Sequence, residues 1–172
     1  MKKFLALTLI FLMGCSNISF ADCALSTLAE TQIGHGEEDE DNYGEDVAKY
    51  LGSPDLQGSS WCAAFVSWCL KNTGYVAPYY LSARSFWNSE YFIKTENPEC
   101  GDIIVLWRGS KNSNLGHVGI VEKVEGNKIT TIQGNVGAFP SKVKRVVYKD
   151  KNKIKQLLGY VKPILVKVEV IK

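Results

Sequence analysis

The chain has 172 residues, 45% of them hydrophobic and 22% charged, which bounds it to one globular domain and excludes disordered, collagenous and coiled-coil chains. Its net charge of +2 is unevenly spread: Asp22 to Ser60 holds ten acidic residues against Lys49 alone, and Trp61 to Lys172 holds seventeen basic against eight acidic. No single basic face dominates, which argues against a nucleic-acid binder and leaves an anionic polymer compatible as ligand.

Lys2 and Lys3 ahead of the apolar run Phe4–Met13 form the charged and apolar regions of a secretory signal. That run is too short to span a bilayer, and no later stretch reaches about 18 apolar residues, so no membrane helix is expected after its removal. Ser19-Phe20-Ala21 places small residues three and one before a cut, which makes residues 1–21 a signal peptide and 22–172 a single domain beginning at Asp22. The alternative is a lipobox, Leu12-Met13-Gly14-Cys15, with Cys15 acylated and the protein held on a membrane. Both readings place the protein outside the cytoplasm, in the periplasm or secreted.

Leu25, Leu28, Ala29 and Ile33 form one stripe of a helix over Ala24–Ile33, ended by Gly34-His35-Gly36. A solvated acidic loop, Glu37 to Asn42, follows. Val47, Ala48 and Leu51 predict another helical turn or two before Gly52-Ser53-Pro54. Ser59 or Ser60 is the expected N-cap of a helix from Cys62 to about Asn72, stopped by Gly74. That helix is apolar nearly all round and therefore buried. Ser82–Trp87 predicts a further short helix. The pattern then changes to strands: Asp102–Trp107, His117–Val124, Lys128–Gln133, Val143–Tyr148 and Leu157–Val161, the last with an extension through Val170. Helices packed on a five- to six-stranded antiparallel sheet make an α+β fold.

After cleavage four cysteines remain in an oxidising compartment: Cys23, Cys62, Cys69 and Cys100. Cys62 and Cys69 on one helix are about 10 Å apart, beyond disulfide reach. With Cys62 kept free for chemistry, Cys23 with Cys100 is the candidate bridge, and Cys69 is the alternative partner. Unbridged, Cys69 reads as a buried small hydrophobe.

Cys62 sits in the first turn of its helix, where unpaired amides and the helix dipole favour a thiolate and can hold an oxyanion. A nucleophilic cysteine needs a base, and the chain offers two histidines. His35, in a Gly-His-Gly loop beside the acids, reads as a solvated loop residue. His117 opens a strand between glycines that leave room for another group. A three-residue hairpin loop at Glu125–Asn127 would set His117 opposite Asn135, with Gln133 as its diagonal neighbour. Either side chain could orient the imidazole, so both remain candidates.

These residues carry a resemblance. Trp61-Cys62-Ala63-Ala64-Phe65-Val66, Ala83-Arg84-Ser85, Gly101-Asp102-Ile103-Ile104-Val105, Gly116-His117-Val118-Gly119 and Gly134-Asn135 occur in that order. The sequence resembles the CHAP family of cysteine, histidine-dependent amidohydrolases and peptidases over about residues 25–163. The resemblance implies a papain-like fold, peptidoglycan as partner, and no cofactor. Cys62 would be nucleophile, His117 general base and acid, and Asn135 the orienting group. Many members carry Glu-x-Asn where this chain has Gln133-Gly134-Asn135, and a glutamine supplies no charge. NlpC-type peptidases share the fold.

Trp61 and Arg84 are candidate substrate contacts, Arg84 for a carboxylate of the stem peptide. Substrate choice is expected in the loops Tyr75–Tyr80 and Lys111–Leu115. Asp102 reads as a backbone-bonding residue at a strand start. Asp39, Asp41, Tyr43 and Glu45 alternate as in some calcium loops, but the pattern lacks the closing Glu, so no metal is expected. CxxC pairs, phosphate loops and dinucleotide fingerprints are absent from the sequence. The expected activity is hydrolysis of a peptidoglycan amide bond, as an N-acetylmuramoyl-L-alanine amidase or as a stem-peptide or cross-bridge endopeptidase, by a monomer. The rivals are a silent wall-binding module, a protein-directed cysteine protease, and an antibacterial toxin paired with an inhibitor or immunity protein.

Overall fold

The computed structural model describes residues 20–164. The leader, the lipobox and the extension beyond Ile164 lie outside the described residues. Helix α1 (Phe20–Glu30) crosses the expected cut after Ala21. It stops three residues before Ile33, where Thr31 turns its hydroxyl back onto the Leu28 carbonyl at 2.7 Å and Gly34 N–H bonds the Val143 carbonyl at 3.0 Å. Helix α2 (Glu45–Leu51) ends on Gly52, whose left-handed φ of 77° closes it. Helix α3 (Cys62–Asn72) has the expected bounds, and α4 (Ala83–Asn88) follows Ser82.

The sheet contains β1 (Phe92–Thr95), β2 (Ile103–Trp107), β3 (Gly116–Glu125), β4 (Lys128–Val136), β5 (Lys142–Tyr148) and β6 (Leu157–Pro163). Its order is β1-β6-β2-β3-β4-β5, and every pair is antiparallel. The α+β reading holds, with β1 as an edge strand that the sequence pattern did not reveal. The apolar run Ile103-Ile104-Val105 is buried because the sheet is covered on both sides. Ile103 and Val105 join the main core with Phe65, Val66, Val118, Ile120 and Ile132 from the helices and central strands. Ile104 joins a smaller cluster with Val121, Ile129 and Tyr160, over which Ile154 and Leu157 pack. Among the described residues no helix is long and apolar enough to cross a membrane.

Cys23 and Cys100 form a disulfide, with Cα atoms 5.3 Å apart, that ties α1 to the entry of β2. Cys69 is free and fully buried. The bridge closes 77 residues of chain and so restrains the unfolded state. A Cys23→Ser, Cys100→Ser double variant is expected to lose about 3 kcal/mol of stability, read from urea unfolding. Asp102 accepts the Glu99 N–H at 2.8 Å, as a residue fixing a strand start would.

Candidate active site

Cys62 opens α3, but no side chain caps that helix. The N-cap is Trp61, not Ser59 or Ser60. Trp61 is fully buried, which removes it from the expected substrate contacts. Its ring stacks on Tyr50 at 5.4 Å, and its Nε1–H donates to Glu37 Oε1 at 3.1 Å. Glu37 is therefore no member of a solvated loop. It is fully buried, and its other oxygen accepts the Ser141 N–H at 2.6 Å. The loop can dive inward because Gly36, with φ of 150°, lies so close to β5 that a Cβ there would meet the Ser141 carbonyl oxygen at 2.6 Å. With Trp61 drawn inward, the first-turn amides of α3 are left to the thiol. The N–H groups of Ala63 and Cys62, and that of Val118 on β3, all act on Cys62.

The β3–β4 hairpin differs from the expected one and still delivers the expected neighbours. Glu125 pairs with Lys128, so the loop is the two residues Gly126-Asn127. A register shift between Val121 and Lys123 then restores the pairing that a three-residue loop would have produced, with Ile120 opposite Ile132. His117 Nε2 lies 3.0 Å from Gln133 Oε1 in a buried contact. The Gln133 amide nitrogen donates to Thr131 Oγ1 at 2.8 Å and to Tyr148 OH at 3.0 Å, so its oxygen must face the imidazole. His117 Nε2 therefore carries the hydrogen, and Nδ1 is the basic nitrogen.

Asn135 does not orient His117. The β4–β5 pairing shifts between Gln133 and Val136, and Asn135 takes a left-handed φ of 59° there. That turn sends its amide to Asn42 Oδ1 at 2.8 Å and to Glu37 Oε1 at 3.4 Å. Gln133 gains its place from Gly119, where a Cβ would lie 2.4 Å from Gln133 Cγ. Gly119→Ala is therefore expected to push Gln133 off His117. Its kcat should fall at least about tenfold, while far-UV circular dichroism stays native.

Cys62, His117 and Asn135 line one cleft of about 490 Å³. Leu81, Ser82, Asn114 and Leu115 complete part of its wall, so the Lys111–Leu115 loop contributes as expected. The segment Tyr75–Tyr80 does not line it: Tyr75 is buried, and Tyr79 OH is tied to the Tyr50 carbonyl. Arg84 is not a cleft residue either. Its stem packs near Gly116, and its Nη1 is buried. The cation in the cleft is Arg108, at the end of β2, which sequence reasoning overlooked. Its position directly after an apolar strand and before a turn was the available signal. His35, as expected, is peripheral and pairs with Asp46 at 2.9 Å.

Burial pushes the Cys62 thiol up, against the opposing pull of the three N–H groups and Arg108. Burial, reinforced by Arg108, pulls His117 down to about 4, although its bond to Gln133 acts the other way. At neutral pH the two groups rest as thiol and neutral imidazole.

Residues 54–135 match the family model described as CHAP domain. That stretch is similar to a CHAP domain. No match is found among curated proteins. Solved structures similar to this chain include Ly7917 with the hydrolyzing product of MDP, at a TM-score of 0.51 and 22% identity, covering 84% of this chain and 63% of that one. An NLP/P60-family protein, similar to lipoprotein, from Staphylococcus aureus subsp. aureus Mu50 gives 0.52 and 16%, covering 85% and 42%. The wild type endolysin LysIME-EF1 gives 0.53 and 16%, covering 86% and 65%. The chain spans less than two thirds of each of these, and at such identities the likeness establishes the papain-like fold.

Proposed function

We propose that the protein is a thiol hydrolase acting on an amide bond of peptidoglycan, as an amidase or an endopeptidase, in the periplasm or after secretion. The observation that carries this reading is the shared cleft of Cys62 and His117, with His117 oriented by Gln133. The CHAP match and the likeness to an endolysin support the choice of substrate.

In this mechanism the Nδ1 of neutral His117 takes the thiol proton as Cys62 attacks the carbonyl. The amides at the start of α3 hold the developing oxyanion. Gln133 keeps the other ring nitrogen engaged, so the imidazolium keeps its orientation while it hands its proton to the leaving amine. Water then adds to the thioester with His117 as base. The products are a free acid and the regenerated thiol.

The test is digestion of purified sacculi by the wild type and by Cys62→Ala, with mass spectrometry of the soluble products. New amine and carboxyl ends from the wild type alone are expected, and their masses identify the bond. If neither protein releases fragments while both pellet with sacculi, the thiol mechanism falls and a wall-binding module takes its place.

A further inference from the structure

Among the described residues Arg108 is the one permanently charged member of the cleft, since His117 rests neutral and the other lining side chains are uncharged. Its backbone is fixed on both sides of the residue. Its N–H donates to the Leu115 carbonyl at 3.1 Å, and its own carbonyl accepts the Ser113 hydroxyl at 2.5 Å. The guanidinium itself has no carboxylate partner among the described residues. Arg145, by contrast, is held between Glu30 and Glu122. An unneutralised cation beside a catalytic base is costly, because it suppresses the imidazolium that the reaction must form. A substrate anion seated on Arg108 would remove that cost when it is needed.

The rest of the rim narrows the anion's chemistry. Leu81 and Leu115 stand exposed at the cleft, 48% and 65% accessible, and suit small apolar side groups. One planar guanidinium without a second cation matches a carboxylate more closely than a phosphate, which gathers several donors. We propose that Arg108 is the specificity-determining residue of this cleft and binds a free carboxylate of the substrate peptide beside the amide that Cys62 attacks. The inference rests on the hydrolase reading above and adds to it the form of stem peptide accepted.

The test uses two sets of soluble peptidoglycan fragments that differ only in whether the stem carboxylates are free or converted to carboxamides. The wild type is expected to favour the free acids by about tenfold or more in kcat/KM, mainly through KM, as one charge-assisted contact would supply. Arg108→Gln should bring that ratio close to one, and Arg108→Lys should restore part of it. Equal use of both sets by the wild type, or an unchanged ratio in Arg108→Gln, overturns the proposal. If the wild type cleaves neither set, the hydrolase reading fails separately. Binding of the same sets to Cys62→Ala and to Cys62→Ala, Arg108→Gln then decides the role of Arg108: an acid preference that the second substitution removes supports it, and no preference overturns it.

Discussion

Glu37→Ala is expected to destabilise the protein by about 4 kcal/mol, lowering the melting temperature by about 10 °C. The carboxylate is fully buried, and three donors converge on it: Trp61 Nε1–H, the Ser141 N–H and the Asn135 amide. Alanine leaves the Trp61 and Ser141 N–H groups without their acceptor, leaves the Asn135 amide with Asn42 alone, and opens a cavity beside the Trp61 ring. Glu37→Gln keeps one oxygen and should cost about half as much. Calorimetry on the three proteins checks this, and a loss below about 1 kcal/mol for alanine would show that the network is dispensable. Activity should fall with stability, because Trp61 and Asn135 flank the nucleophile and the cleft wall.

Gln133→Leu is expected to lower kcat by about a hundredfold or more, because His117 loses the acceptor that fixes its tautomer. The fold should survive, since leucine approximates the volume of the amide. Gln133→Glu separates charge from geometry. A carboxylate at hydrogen-bond distance favours the imidazolium, so His117 should rise from about 4. The acid limb of kcat/KM in the wild type then lies near pH 4 and moves up in Gln133→Glu.

Stability follows the same sign. The folded state holds His117 neutral at about 4, against 6.5 for a free histidine. Below pH 6.5 the unfolded chain binds the extra proton, so stability is full above that value and is lost as pH falls through 4. The size is about 3 kcal/mol. Denaturant titrations across this window should show the loss in the wild type and a smaller one in Gln133→Glu.

The bounds of α3 were legible because Cys62–Asn72 is apolar on almost every side and Gly74 follows it. The central strands were legible for the same reason. Strand β1 was not, since four residues at a sheet edge, with Ile93 59% exposed, carry no alternation to read. Glu37 was hidden by its neighbours: in a run of five acids, composition does not reveal which one turns inward. The turn is enforced from a distance, by Gly36 docking on β5. Gln133 and Asn135 were both visible as partners for His117, and the choice between them depended on a backbone turn at Asn135 that no pattern announces. Arg84 attracted attention as part of a motif, but only the folded hairpin brings Arg108 to the cleft.

The neutral resting pair also bears on how long the proposed nucleophile would last in the compartment proposed above. Peroxide and disulfide exchange attack the thiolate, and a protonated, 6% exposed Cys62 offers them very little of it. In the proposed mechanism the sulfur becomes reactive only when a carbonyl is in place and His117 takes the proton. On that proposal, durability against oxidants would come from the same burial that restrains the thiol, without a second cysteine to guard it.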